Sequence, residues 1–443
     1  MPITELRVEG LRTIEKARLK LDGLTVLIGE NGSGKSSLIE ACELLRRARS
    51  ERFLDELYSI HGGFNALLRQ GAPRLRLGAT LTPTPGIDKS VSPSASDAFE
   101  SFEYDLALAP SGPLVTIEET LRGKLRDGRA ASAGRGAKRS PGTRSRVSKE
   151  PNKPVLLFQR RGEEVIRFHL DGSTRLRYTT GAQQTVLSEY GGHPSHGERD
   201  DEAAQHTVAQ LDRIRVHLPF EVIPAWAGRA LDRKSALRTS MVFAPATQLE
   251  KLGANLANAY HALKNSFDRE HWRQTLEYVR LGLGAHVEDV ATWADPGGGY
   301  ISLALKLRGL DQQIPVAQIS DGMLAYLALV AAFRLHITPP SLLAFDEPDL
   351  HLHPHLLMRA LDFFESMARE FPVLVATHSD RLLDGLSDPA RSVVLCSLDE
   401  RQATQLVRPD PAALERWLER YRGLGDIRAA GHAASVLTRV EPA

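Results

Sequence analysis

Cysteine is almost missing from this chain: two thiols, Cys42 and Cys396, occur in 443 residues. Both fall in apolar stretches that read as a helix and a strand, so no disulfide framework is expected and a reducing compartment suits the protein. An excess of charge is missing too, since 56 Lys and Arg against 55 Asp and Glu leave a net charge of +1. A surface of that kind does not attract polyanions as a whole, and any nucleic-acid contact has to come from a local patch. No apolar run is long enough to span a bilayer, the longest being Leu324–Phe333. The chain opens without a basic-then-apolar leader and enters a strand pattern at Ile3. The expectation is a soluble, cytoplasmic protein with no membrane contact. Fixed-period repeats and sustained heptads are also absent, which excludes a solenoid and a long coiled-coil arm. Apolar residues at 42% and charged residues at 25% are otherwise ordinary for a globular chain. The length admits two or three domains, or one domain with a large insertion.

The strongest patterns lie at the two ends. Ile3–Val8 and Ala17–Leu21 alternate apolar and polar residues as half-buried strands do, while Leu24–Ile28 is apolar enough for a central strand. A glycine-rich turn follows, then an amphipathic helix from Lys35 to about Arg49 with Leu38, Ile39, Cys42 and Leu45 on one face. Near the other end, Ser341–Phe345 and Val373–Ala376 read as buried strands joined by a crossover helix, and Val393–Cys396 as one more. Between the ends, Leu75–Leu81, Phe102–Leu108, Leu114–Glu118, Pro154–Phe158 and Val165–Leu170 suggest a largely antiparallel sheet. Thr247–Arg280 reads as helical, and Val287–Leu307 returns to strand. From Arg122 to Lys153 eleven Lys or Arg accompany only Asp127 and Glu150. That composition predicts a disordered basic loop, either a solvated linker or a phosphate-attracting arm.

Gly29-Glu30-Asn31-Gly32-Ser33-Gly34-Lys35-Ser36 meets every fixed position of G-x-x-x-x-G-K-[ST], and it sits between a strand and a helix as that motif requires. Glycines let the backbone curl so that several N–H groups point at phosphate oxygens. The helix start adds its positive end. Lys35 is expected to reach the β- and γ-phosphates and the Ser36 hydroxyl to ligate Mg²⁺. Leu342-Leu343-Ala344-Phe345-Asp346-Glu347 is an apolar strand ending in two acids. A strand of this kind delivers carboxylates to the tip where open α/β sheets bind ligands. Asp346 is placed to hold Mg²⁺, and Glu347 to polarise the attacking water as general base. His378 closes the next apolar strand, in Val375-Ala376-Thr377-His378-Ser379, where an imidazole can report the γ-phosphate. In Ile319-Ser320-Asp321-Gly322-Met323, Ser320 is a good N-cap for an apolar helix running to about Leu335. The same hydroxyl and helix N-terminus can serve an anion on another molecule. His351, His353 and His355 alternate, but Pro354 is expected to start a helix there, which keeps them from converging on a metal.

The order of these segments, GENGSGKSS, then ISDGM, LLAFDEP, DLHLHPH and VATHS, resembles the ABC-type ATPases of the SMC/RecF/OLD group. The likeness is nearest to RecF-like AAA-family ATPases without a coiled coil or nuclease domain. It covers about residues 1–75 and 240–425, and Gly-Ala-Asn-Leu-Ala-Asn at 253–258 also looks like an element of that subgroup. The resemblance implies an α/β fold: a P-loop NTPase of ABC type with a mixed sheet, carrying a partly antiparallel β and helical insertion between Walker A and signature. It carries nucleotide contacts onto Gly29, Asn31, Gly32, Ser33, Gly34, Lys35, Ser36 and Ser37. It makes Ser320 and Gly322 the signature offered to a partner's ATP, Asp349 the D-loop residue at a dimer interface, and His378 the switch histidine. One departure stands out, because Asp321 occupies a place where the group has glycine, so its carboxylate must point away from the phosphate or slow turnover. No glutamine loop is evident beyond the weak candidate Gln70.

The expected division is an N-terminal ATPase lobe at 1–75, an inserted β-rich region at 76–240 and a signature and C-terminal ATPase part at 241–425, with a tail at 426–443. The expected function is an ATPase using ATP and Mg²⁺ that forms a homodimer around ATP. It would control a DNA transaction or a separately encoded effector protein, in prokaryotic DNA repair or anti-phage defence. An OLD-like ATPase-nuclease is the alternative, although residues 379–443 hold a single adjacent acidic pair, Asp399-Glu400. A scaffold with little turnover is another. A transporter subunit is a poor match, since its nucleotide domain has no long insertion between phosphate loop and signature.

Overall fold

The computed structural model describes residues 2–83, 98–126, 154–170, 172–190, 199–222, 235–295, 297–419, 421–432 and 437–439. Its middle layer is a seven-stranded sheet. In spatial order the strands are Ile214–His217, Leu342–Asp346, Val373–Thr377, Leu24–Gly29, Val393–Leu398, Thr404–Pro409 and Leu437–Arg439. The first five run parallel, Thr404–Pro409 runs against them, and Leu437–Arg439 pairs antiparallel with Thr404–Pro409, so the sheet is mixed, as expected. Alternate residues of these strands enter two different cores. Val26, Ile28, Leu343, Phe345, Val373 and Val375 face a helical layer. Leu27, Leu342, Ala344, Leu374 and Ala376 face the phosphate-loop helix and a second sheet. Burial on both faces explains why these strands are short and continuously apolar.

The second sheet is antiparallel and has eight strands: Ile14–Lys20, Ile3–Leu11, Leu75–Leu81, Phe99–Ser111, Leu114–Leu125, Val155–Arg161, Glu164–Phe168 and Thr174–Thr179. Ile3–Leu11 pairs with Leu75–Leu81, so the division drawn at 75/76 cuts through one hydrogen-bonded sheet. The region 76–240 also returns a strand, Ile214–His217, to the parallel sheet beside Leu342–Asp346. The described part of the tail expected from 426 is folded as well. Leu424–Ala429 is a helix whose Asp426 N–H donates to the Asp384 carboxylate at 3.0 Å. Arg122–Leu125 continues a strand, so the basic stretch begins later than its composition suggests. The remainder of that stretch, 127–153, lies outside the described residues.

The helical layer centres on Asp321–Arg334, of which ten residues are buried. It packs against Leu256–Asn265, Arg269–Leu283 and Pro354–Met367. The helical stretch expected over Thr247–Arg280 is two helices with a non-helical lead-in. Asp268 restarts the chain as N-cap, accepting from the His271 N–H at 2.7 Å. Asn255 accepts from the Glu250 N–H and donates to the Gln248 carbonyl, and Asn258 does the same for Ala244 and Val242. These two asparagines of the 253–258 element therefore hold the irregular 242–250 segment in place.

In the antiparallel sheet Arg160 and Glu119 form an ion pair at 3.4 Å, each side chain 0% exposed. Glu119 also accepts from the Tyr104 hydroxyl at 2.9 Å and the Val186 N–H at 2.7 Å. Arg160 donates to the carbonyls of Gly162, Gln184 and Gly181. Removing one partner strands a charge in the core. Glu119→Ala is therefore expected to lower the unfolding free energy by about 3–5 kcal/mol in urea titration. A loss below about 0.5 kcal/mol, within the range of an indifferent surface change, would mean that the pair is not what anchors residues 181–187.

Candidate functional site

The site forms where three strands of the parallel sheet end. Leu24–Gly29 runs into the glycine-rich turn and the helix Lys35–Arg47. Gly29 is packed so tightly that a Cβ there would lie 1.9 Å from the Cys396 carbonyl oxygen. Gly34, the residue before the helix, has φ +98°, and a Cβ on it would meet the Thr404 hydroxyl at 2.4 Å. Only glycine accepts both the backbone conformation and the crowding. Thr404 in turn donates to the Thr13 hydroxyl at 2.9 Å. The turn is thus held by the Thr13 loop, the end of the Val393–Leu398 strand and the start of Thr404–Pro409.

Inside the turn, Lys35 is 4% exposed. Its Nζ donates to the carbonyls of Gly29 and Glu30, each at 2.9 Å. Burial lowers the ammonium's pKa, and the carboxylates of Glu347 and Asp346 work against that. The Ser33 hydroxyl is buried with no hydrogen-bond partner, an orphan of the kind a bound oxygen-rich group satisfies. The residues present therefore fit a nucleotide's phosphates: a glycine cradle, a buried ammonium and a spare hydroxyl.

At the neighbouring strand tips the expected residues come together. The Ser36 hydroxyl donates to Asp346 Oδ1 at 3.1 Å, across 310 positions of sequence. Burial raises the Asp346 pKa, the bond from Ser36 lowers it, and nearby Glu347 raises it further. His378 Nε2 lies 3.3 Å from Glu347 Oε1, both side chains about one-third exposed (35% and 36%). Glu347 has φ +47°, a costly conformation for this residue type of the kind that clusters at functional sites. Its N–H donates to the Ala376 carbonyl at 2.8 Å, tying the turn to the strand that carries His378. Asp349 accepts from the Thr377 hydroxyl at 2.6 Å, and that hydroxyl accepts from the Ser379 N–H at 3.0 Å. Thr377 thus braces the His378 segment against the Asp349 turn, a role that sequence reading did not single out.

Ser320 and Gly322 lie at the start of the helix Asp321–Arg334. Ser320 caps its helix, accepting from the Met323 N–H at 3.4 Å. Gly322 passes the His351 carbonyl so closely that a Cβ would come within 3.0 Å. Among the described residues no hydrogen bond or ion pair joins either residue to Gly29–Ser37. His353 caps the helix that Pro354 opens, its ring accepting from the His355 N–H at 3.4 Å. Gln70 is exposed in a turn.

This sheet order, with its phosphate loop and strand-tip acids, defines an SMC/RecF-like ABC-type ATPase fold. The comparisons with known proteins agree with that class. Residues 1–99 match the family described as "AAA ATPase domain", and residues 266–384 the family described as "AAA domain, putative AbiEii toxin, Type IV TA system". A stretch of 53 residues is 43% identical to the DNA replication and repair protein RecF of Shewanella loihica and 45% identical to that of Shewanella piezotolerans. That stretch is 12% of this chain and 15% of either relative. An Smc head bound to the C-winged helix domain of ScpA aligns with a TM-score of 0.50 at 13% identity, over 92% of this chain and 98% of that one. A second, derived from Pyrococcus furiosus, is an Smc head domain with an extended coiled coil, bound to the C-terminal domain of ScpA. It aligns with a TM-score of 0.50 at 14% identity, over 95% and 99%. At such identities the likeness is one of fold. No helix among the described residues is long and apolar enough to cross a membrane.

Proposed function

We propose that the chain binds ATP with Mg²⁺ and closes head to tail with a second copy around the nucleotides, then reopens on hydrolysis. One observation carries the reading. Lys35, Ser36, Asp346, Glu347 and His378 gather at one edge of the sheet, while Ser320 and Gly322, on their own capped helix, share no hydrogen bond or ion pair with Gly29–Ser37 among the described residues. Two copies placed head to tail bring each signature helix to the other's phosphate loop and complete two sites. In each, the turn Gly29–Ser36 with Asn31, Gly32, Ser33 and Ser37 holds the phosphates, and Lys35 balances their charge. Ser36 and Asp346 would hold Mg²⁺, which supplies charge neutralisation on the phosphates. Glu347 takes the proton of the attacking water, His378 orients Glu347, and Asp349 meets the partner.

The closing motion is the output, applied to a DNA transaction or to a separately encoded effector, in prokaryotic DNA repair or anti-phage defence. The short RecF match supports the first target, and the family description that covers residues 266–384 supports the second. The reading is tested by light scattering of the purified protein with Mg-ATP and with Mg-ADP. The expected result is a doubling of mass with ATP alone, and plasmid DNA left intact in the same buffer. A monomer at saturating ATP counts against the shared site, and plasmid cleavage that persists without Glu347 favours an ATPase-nuclease.

A further inference from the structure

The signature of this chain contains a carboxylate, Asp321, between the two residues that would approach a partner's phosphate. Left unpaired, that charge repels the ligand the site must accept. The structure pairs it. Asp321 is bonded to Arg238, whose side chain is 4% exposed against 42% for the aspartate. Arg238 Nε donates to the Val222 carbonyl at 2.7 Å, and Nη1 donates to the carbonyls of Ile319 at 2.7 Å and Ala317 at 3.3 Å. Ala317 and Ile319 belong to the turn that feeds directly into Ser320. A single buried cation therefore grips the chain just before Ser320 and the side chain just after it. A guanidinium suits the task because it keeps its proton when buried and spreads five donors in a fixed plane.

We propose that Arg238 is a positioning residue of the nucleotide site. It neutralises Asp321 and holds the carboxylate back against its own chain, away from the partner's nucleotide. This rests on the head-to-tail reading above.

The test is a double-mutant cycle in a Glu347→Gln background, where the ATP-bound dimer accumulates, with dimer affinity read by analytical ultracentrifugation in Mg-ATP. If the parent itself stays monomeric, the head-to-tail reading fails and this proposal falls with it, whatever the variants do. With a dimerising parent, Arg238→Met is expected to weaken the ATP-bound dimer by about tenfold or more, and Asp321→Gly to leave it within about threefold. Combining the two should return affinity to within about threefold of the parent, a recovery that only coupling between the two sites produces. An Arg238→Met variant that dimerises like its parent overturns the proposal. So does a loss that Asp321→Gly fails to recover, which would make Arg238 a brace for the turn and nothing more. Should Arg238→Met fail to fold, Asp321→Gly decides alone. A shift of about tenfold in either direction would show that the carboxylate was not neutralised.

Discussion

Replacing Glu347 by glutamine is expected to slow ATP hydrolysis by about 100-fold or more, the ordinary yield of a positioned general base, while ATP still binds. The substitution keeps the size of the side chain and its approach to His378, 3.3 Å away in the structure. It removes only the ability to take a proton. The strained backbone at φ +47° is fixed by the bond from the Glu347 N–H to the Ala376 carbonyl, which involves no side-chain atom, so the turn keeps its shape. Binding rests on other groups, Lys35 and the glycine turn. With ATP held and water idle, the closed dimer should persist, and size-exclusion chromatography with light scattering should still find it after free ATP is removed, when the wild type has hydrolysed its ATP and returned to monomer. Steady-state phosphate release within about threefold of wild type would remove Glu347 from the role of base and return the chemistry to another group.

A second experiment asks whether a site belongs to one chain or two. Lys35→Ala removes the ammonium that two carbonyls hold at the heart of the loop, and Ser320→Arg blocks the helix N-terminus with a bulky cation. Each variant alone should lose nearly all ATPase activity, because every site in its homodimer carries the defect. Mixed together they form heterodimers in which one site carries both defects and the other carries neither. Random pairing then restores up to about a quarter of the wild-type rate, by the symmetry of a two-site dimer. No recovery across a range of mixing ratios would mean that phosphate loop and signature act within a single molecule.

The parts of this protein that depend on local pattern could be read before folding. Leu24–Ile28 is apolar on both faces, and it is the central strand. Asp346 and Glu347 end an apolar run, and they stand at a strand tip where Asp346 meets Ser36 and Glu347 meets His378. Pro354 follows His353, and the helix starts there. Other features depend on partners remote in sequence and left no local trace. Arg238 lies 83 positions before the aspartate it neutralises, in a short turn with no periodicity of its own. The pairing of Ile3–Leu11 with Leu75–Leu81 merges two regions that composition separates, because backbone hydrogen bonds carry no residue signature. The helix Leu424–Ala429 was legible only as a tail, being too short for a pattern and fixed by bonds to Asp384. The break at 266–268 rests on Asp268, whose carboxylate caps the second helix, and a helical reading of Thr247–Arg280 passes over it.

The three-sided grip on the phosphate turn has a consequence for the order in which the protein comes into being. Gly29 and Gly34 leave the ribosome more than 350 residues before the Cys396 carbonyl and the Thr404 hydroxyl that press on them. Until those residues arrive, the nascent chain has the letters of a nucleotide site without its walls. A ribosome stalled before codon 396 displays a glycine loop without the two contacts that press on it in the folded chain.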